Sequence, residues 1–286
     1  MVDIFRLKTD ADGWRGRATF SESEIIVIGD SFAAGYGVSE RHFFANLLRE
    51  PKIKPIGIGG YSMVQELLWI KQLAPKLGGK LIVWFIYHGN DLYDNLSPDL
   101  RGYRKPFVRE SRQNGGWEIV SKHIGPEQWP IVTQVRLKGW HHLPKLAELC
   151  SDTFLAKRAY DAAEYLIGAG NEVCREAGAD LVVMTIPDPS QLRLPSNGGL
   201  QAHTGNSRSF DPFRPDVKIE ASCRRLEVGF LAGRTFLDAS CYKTNDCHWN
   251  AKGHRKVSEA LSRLYHDRQR HSVQTQRQGT EALVHV

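Results

Sequence analysis

No stretch of this chain approaches the eighteen or so consecutive apolar residues needed to span a bilayer. The opening segment, MVDIFRLKTDADGWRGRATF, likewise lacks the apolar core of a secretory signal. As it stands the chain reads as cytoplasmic, a reading that an N-terminal anchor would change to extracytoplasmic. Cysteine is sparse: Cys150, Cys174, Cys223, Cys241 and Cys247 are odd in number and scattered. They outline neither a disulfide framework nor a zinc-ligand pattern, which suits a reducing compartment. Two other signatures are missing. No Gly-Lys-Ser/Thr follows the glycine-rich stretch at 57–60, which excludes a phosphate loop, and no G-x-S-x-G elbow occurs. His141-His142 has no carboxylate or histidine partner at helical spacing, so no metal and no organic cofactor is expected.

What is present suffices for a large core. Apolar residues make up 41% of 286 positions and include seven tryptophans, enough for one α/β domain without global disorder. Much of the net charge of +6 lies in Arg263–Val286, where Arg263, Arg268, Arg270 and Arg277 face only Asp267 and Glu281. That tail is rich in Gln, Arg and Ser with little aromatic interleaving. It reads as a solvated, frayed end rather than a nucleic-acid surface.

Apolar runs at Ile25–Ile28, Ile53–Ile58, Leu81–Tyr87, Leu181–Ile186 and Thr235–Leu237 predict strands. Helical periodicity falls between them at Arg41–Arg49, Met63–Leu77, Phe154–Ala177, Val217–Leu231 and Ala251–His266. In the long third helix Leu155, Ala159, Ala162, Ala163, Leu166 and Ile167 recur at helical spacing. Alternation of this kind predicts a parallel sheet of about five strands covered on both faces. The expected organisation is an N-terminal extension over 1–21, a catalytic-type domain over 22–266, and a basic, disordered tail over 267–286. An insertion over 92–152 follows the third strand. It carries Tyr93, Tyr103, Phe107, Trp117, Trp129 and Trp140 beside Arg101, Arg104, Lys105, Arg109 and Arg112. Leaving from the third strand's end, it reads equally as a lid or sugar-binding wall and as a stabilising subdomain. A second long loop, 187–216, offers Arg193, His203 and Arg208 to the same rim.

Four segments carry chemistry. Ile25-Ile26-Val27-Ile28 runs straight into Gly29-Asp30-Ser31-Phe32, so a buried strand ends at a polar turn. That is where parallel sheets place ligands, and Ser31 is the candidate nucleophile; a helix cap would use the same residues. Gly57-Ile58-Gly59-Gly60 follows the second strand and offers the Gly60 amide as an oxyanion donor, or merely a tight turn. The third strand ends in Gly89-Asn90-Asp91, where the Asn90 side chain can donate to the same oxyanion. Asp246-Cys247-His248 supplies a carboxylate and an imidazole, the pair that activates a serine hydroxyl. Cys247, between them, reads as a packing residue or a reactive thiol.

Together and in this order the four segments resemble the blocks of the SGNH/GDSL hydrolase superfamily. The resemblance spans about residues 22–262. It implies a three-layer α/β/α, flavodoxin-like fold with Ser31 as nucleophile, His248 as base and Asp246 as orienting acid. It further implies an oxyanion hole formed by the Ser31 and Gly60 amides and the Asn90 side chain. Two departures stand out: Pro55 occupies a position usually held by asparagine, and the last block is Asp-x-His where many members have Asp-x-x-His. The short spacing leaves Asp238 as a rival acid. The expected activity is a serine esterase that hydrolyses a short-chain or acetyl ester of a carbohydrate or small molecule through an acyl-enzyme. An O-acyltransferase would use the same residues, and a non-catalytic binding protein would keep only the fold. The partner is thus a small-molecule or glycan ester.

Overall fold

The computed structural model describes residues 7–100, 103–113, 115–121, 142–193, 200 and 209–284, the stretch 271–284 as backbone only. Strand β1 (Ile25–Gly29) is buried at every position and β2 (Ile53–Gly57) at all but its last. Helix α1 (Met63–Leu73) starts at Ser62, where the Gln65 side chain accepts from the Ser62 amide (3.1 Å) and hydroxyl (2.8 Å). Strand β3 (Leu81–Tyr87), seven buried residues, leads into the short helix α2 (Asp91–Asp94). The insertion holds two small hairpins, β4 (Asp99–Leu100) with β5 (Tyr103–Arg104) and β6 (Phe107–Glu110) with β7 (Trp117–Val120), then helix α3 (His142–Leu149). Helix α4 (Phe154–Glu176) is capped by Thr153, whose side chain accepts from the Ala156 amide. Strand β8 (Asp180–Ile186), helix α5 (Pro189–Leu192), helix α6 (Arg214–Arg225), strand β9 (Gly229–Ala232) and helix α7 (Ala251–Val284) complete the chain.

The five long strands form one parallel sheet in the order β2-β1-β3-β8-β9. Alternate residues of β1 serve opposite faces, as strand geometry requires. Ile26 and Ile28 join the core under α1, α4 and α6, whereas Ile25 and Val27 join Phe43, Phe44, Phe85 and Trp249 under α7. The expected three-layer α/β/α fold with a five-stranded parallel sheet is therefore observed. Helix α4 comes so close to the sheet that a side chain at Gly170 would stand 2.7 Å from the Trp84 ring.

Four sequence expectations need correction. Arg41–Arg49 is not an α-helix but two 3-10 turns, Glu40–His42 and Phe44–Asn46, separated by Phe43 in an extended conformation. Phe43, extended between the two turns, and Phe44 are both buried in the core beneath α7. The helix expected over Val217–Leu231 ends at Arg225, because Glu227 takes a left-handed conformation (φ 54°) and turns the chain into β9. The fifth strand accordingly lies at Gly229–Ala232, and Thr235–Leu237 belongs to the connection beyond it. In α4 the buried stripe includes Ala156 in place of Leu155, which is only half-buried.

Both chain ends differ from plain appendages. Trp14, Arg15 and Phe20 are buried, and Asp10 pairs with the fully buried amine of Lys54 on β2. Pro55 on that edge strand lies against Gly16, so the N-terminal segment stands where the usual asparagine buttress is missing. At the other end α7 continues to Val284 across the segment expected to be disordered, and Arg268 pairs with Asp180 at the start of β8. Gln, Arg, Glu and Ala are good helix formers, so polar composition alone does not end a helix. Among the described residues no helix is long and apolar enough to cross a membrane.

Candidate active site

Ser31, Gly60 and Asn90 stand just beyond the carboxyl ends of β1, β2 and β3, three neighbouring strands. His248 arrives from the far end of the sequence on a tight loop before α7. An antiparallel bridge between Tyr242 and Trp249 closes that loop, reinforced by the Lys243 amide donating to the His248 carbonyl at 3.0 Å. Ser31 Oγ lies 2.7 Å from His248 Nε2, and His248 Nδ1 lies 2.6 Å from Asp246 Oδ1. The Asp246 carboxylate also accepts the His248 backbone N–H at 3.1 Å. The two-residue spacing thus lets one oxygen hold both the ring and the backbone of the histidine. The rival, Asp238, instead caps the 3-10 turn Ala239–Cys241 and pairs with Lys252 and Lys256.

The electrostatics follow from these contacts. Burial raises the Asp246 carboxyl, but the hydrogen bonds and charge of His248 outweigh it and bring the pKa down to about 2. Beneath the serine, burial raises the Asp30 carboxyl despite the Phe32 amide that it accepts at 2.9 Å. Glu66 and Asp91 are raised further, by burial first and then by mutual repulsion with Asp30. Glu66 accepts from Trp84 Nε1 at 2.7 Å and Asp91 from the Tyr87 amide at 2.7 Å, leaving one oxygen of each without a partner. Burial pushes the Cys247 thiol up to about 12, so it is a packing residue beside the site rather than a ready nucleophile.

The three expected oxyanion donors differ in readiness. Gly60 has φ +83°, a conformation that aims its amide as few other residues could. Neighbouring Gly59 packs beside Ser31, at 3.7 Å from an added Cβ to Ser31 Cβ. Asn90 is buried, its Nδ2 donating weakly to the Tyr61 carbonyl at 3.3 Å and its Oδ1 without a partner. The Asp30 carboxylate beneath the turn is engaged by the Phe32 amide (2.9 Å) and the Ser31 hydroxyl (3.3 Å). Gly57 is needed for space: a side chain there would stand 2.2 Å from the Ala34 amide nitrogen, inside the nucleophile turn.

Sequence reasoning missed several residues around this centre. Tyr36 packs on His248 with the rings tilted, centroids 4.7 Å apart; its place between Gly35 and Gly37, five positions after Ser31, was the available signal. Arg15 is buried and donates to the carbonyls of Ala34 (3.2 Å), Gly35 and Val38 (2.7 Å) and to Glu40 (2.7 Å), fixing the loop that carries Tyr36. Nothing in the sequence marked it. From the insertion, the buried Lys105 amine donates to the Asp94 carbonyl (2.5 Å) and Ser62 Oγ (3.3 Å), and Leu100 overhangs Gly60. Tyr93 lies beneath the Lys145 amine, Arg109 pairs with Glu118, and Trp117 packs on the core. Arg101, Trp129, Trp140, His141, His203 and Arg208 lie outside the described residues, as does the side chain of His142. Among the described residues one three-donor group has metal-ligand proximity, Asp246, Cys247 and His248, and its acid and imidazole are already hydrogen-bonded to each other.

No protein-family model and no curated protein sequence matches the chain. Solved structures do. A GDSL-like lipase from Bacteroides thetaiotaomicron aligns over 87% of this chain and 91% of its own, with 10% identity and a TM-score of 0.49. The carbohydrate acetylesterase Est24 from Sinorhizobium meliloti aligns over 86% and 99%, with 11% identity and a TM-score of 0.48. A member of the lipolytic G-D-S-L family from Veillonella parvula aligns over 83% and 94%, with 12% identity and a TM-score of 0.45.

Proposed function

We propose that the protein is a serine esterase of the SGNH/GDSL type that hydrolyses a short acyl ester of a carbohydrate or small molecule. One observation carries this reading: the unbroken chain Ser31 Oγ–His248 Nε2 (2.7 Å) and His248 Nδ1–Asp246 Oδ1 (2.6 Å) at the sheet's carboxyl edge. His248 takes the proton of Ser31 as the oxygen attacks the ester carbonyl, and later gives it to the departing alcohol. Asp246 fixes the tautomer with the proton on Nδ1 and stabilises the imidazolium. The Gly60 and Ser31 amides and Asn90 Nδ2 receive the oxyanion. Leu100, 3.1 Å from an added Cβ on Gly60, narrows the space beside the oxyanion loop and supports a short acyl group.

A series of p-nitrophenyl esters from acetate upward tests this, with Ser31→Ala as control. Turnover should fall with chain length and vanish in the variant, and a serine-directed phosphonate should label Ser31. Labelling of Ser62 or Cys247 instead would sink the assignment. Supplying glycerol or oligosaccharide acceptors with an activated acetyl ester separates hydrolysis from transfer. Free acetate should dominate; acylated acceptor at low acceptor concentration would make the protein a transferase.

A further inference from the structure

We propose that Tyr36 and Lys243 form a subsite for the leaving alcohol, and that this alcohol is a ring bearing a negative charge, such as a carboxylate. The inference rests on the esterase reading and extends it to the half of the substrate that the blocks leave open. In that reading His248 must protonate the departing oxygen, so the alcohol half lies on the imidazole side of Ser31. Tyr36 and Lys243 border that side.

Tyr36 is 52% exposed while one part of its ring packs on His248, centroids 4.7 Å apart at 47°. A single exposed aromatic is ordinary. Here, however, the backbone beneath it is fixed from several directions. Gly35 and Gly37 on either side adopt φ +67° and +80°, and the Tyr36 amide donates to the Ser31 carbonyl at 3.0 Å. Arg15, 4% exposed, holds the carbonyls of Ala34, Gly35 and Val38 with one guanidinium. An aromatic face kept in place at the rim loses little entropy when a ring stacks on it.

Lys243 brings the charge. Its Nζ sits over Gly37, in the space that a side chain at 37 would fill (2.0 Å from an added Cβ). Its backbone is tied to the His248 carbonyl, and its charge helps to lower the Asp246 carboxyl. Yet the amine has no hydrogen-bond or ion-pair partner among the described residues, whereas nearby Arg15 is paired with Glu40. Asp246 is already engaged by His248. A cation over Gly37, one residue from Tyr36, close enough to act on Asp246 and without a hydrogen-bond or ion-pair partner among the described residues, fits an anionic group on a ring-shaped leaving alcohol.

The test compares 4-acetoxybenzoate, whose leaving alcohol carries a carboxylate, with its neutral methyl ester, in wild type, Lys243→Gln and Tyr36→Ala. Intrinsic reactivity cancels when the anionic-to-neutral ratio of kcat/KM is compared between proteins. The ratio should fall about threefold to fivefold in Lys243→Gln, the scale of a partly exposed ion pair, and should fall in wild type as salt is raised. Tyr36→Ala, which also removes a ring packed on His248, is read as a ratio: KM for both aryl esters should rise more than KM for ethyl acetate, and an equal rise for all three overturns the stacking role. An unchanged ratio in Lys243→Gln overturns the subsite even though the esterase stands. Absence of any ester turnover together with no phosphonate label on Ser31 overturns both.

Discussion

The Ser31 hydroxyl has two neighbours, His248 Nε2 at 2.7 Å and Asp30 Oδ2 at 3.3 Å, and the closer one is the imidazole that the proposed mechanism uses as base. Asn90→Ala should therefore lower kcat by roughly 10²–10³, the usual loss for one oxyanion donor, with a smaller change in KM. A raised KM with kcat intact would show that Asn90 binds ground-state substrate. Asp246→Asn should damage kcat far more than Asp238→Asn, since Asp238 is occupied by Lys252 and Lys256. The acid also contributes to stability with a definite sign. Its folded pKa, about 2, lies below that of an ordinary aspartate, so its contribution is full above the ordinary value and is lost as pH falls through about 2. The stability difference between wild type and Asp246→Asn, followed by denaturant titration, should shrink as pH falls from 5 towards 2. That Ser31, Asp246 and His248 meet was readable in advance because they lie in short motifs at the ends of strands and loops. The choice between Asp246 and Asp238 was not, since it depends on which carboxylate the loop 243–248 folds against the imidazole.

Elements were legible where one signal dominated. β3 was read at its exact bounds because seven consecutive apolar residues have no other use, and α4 nearly so because its small-residue stripe is long. The misplaced fifth strand shows the limit: its boundary depends on Glu227 adopting a left-handed conformation, which no pattern announces. Buried acids on α1 and α2 were equally silent in the sequence. Glu66 has its pKa raised well above the ordinary value by burial, so its contribution to stability is present at low pH and is lost as pH rises through its folded pKa. Glu66→Gln retains an acceptor for Trp84 and removes the charge. It should raise Tm at pH 8 by a few degrees and flatten the fall in Tm between pH 5 and 8. A lower Tm at pH 8 would mean that the carboxylate has a compensating partner.

At the scale of the whole molecule, the described part of the N-terminal segment packs against the sheet edge through Asp10, Trp14, Arg15 and Phe20. Lys54 is fully buried on an edge strand and relies on Asp10 for its counter-charge. Asp10→Ala should cost up to about 3 kcal/mol, since a buried cation loses its partner, and Lys54→Met in the same protein should restore much of it. Chemical denaturation of the single and double variants measures both. If the double variant is no more stable than Asp10→Ala, the pairing is not what holds the segment. Such pairings were illegible because they join residues more than forty positions apart with no periodicity to betray them.

The loop 243–248, closed by its own bridge between Tyr242 and Trp249, carries acid and base together. Because one carboxylate oxygen of Asp246 holds both the ring and the backbone N–H of His248, any displacement of this loop would carry carboxylate and imidazole together and change chiefly their distance from Ser31.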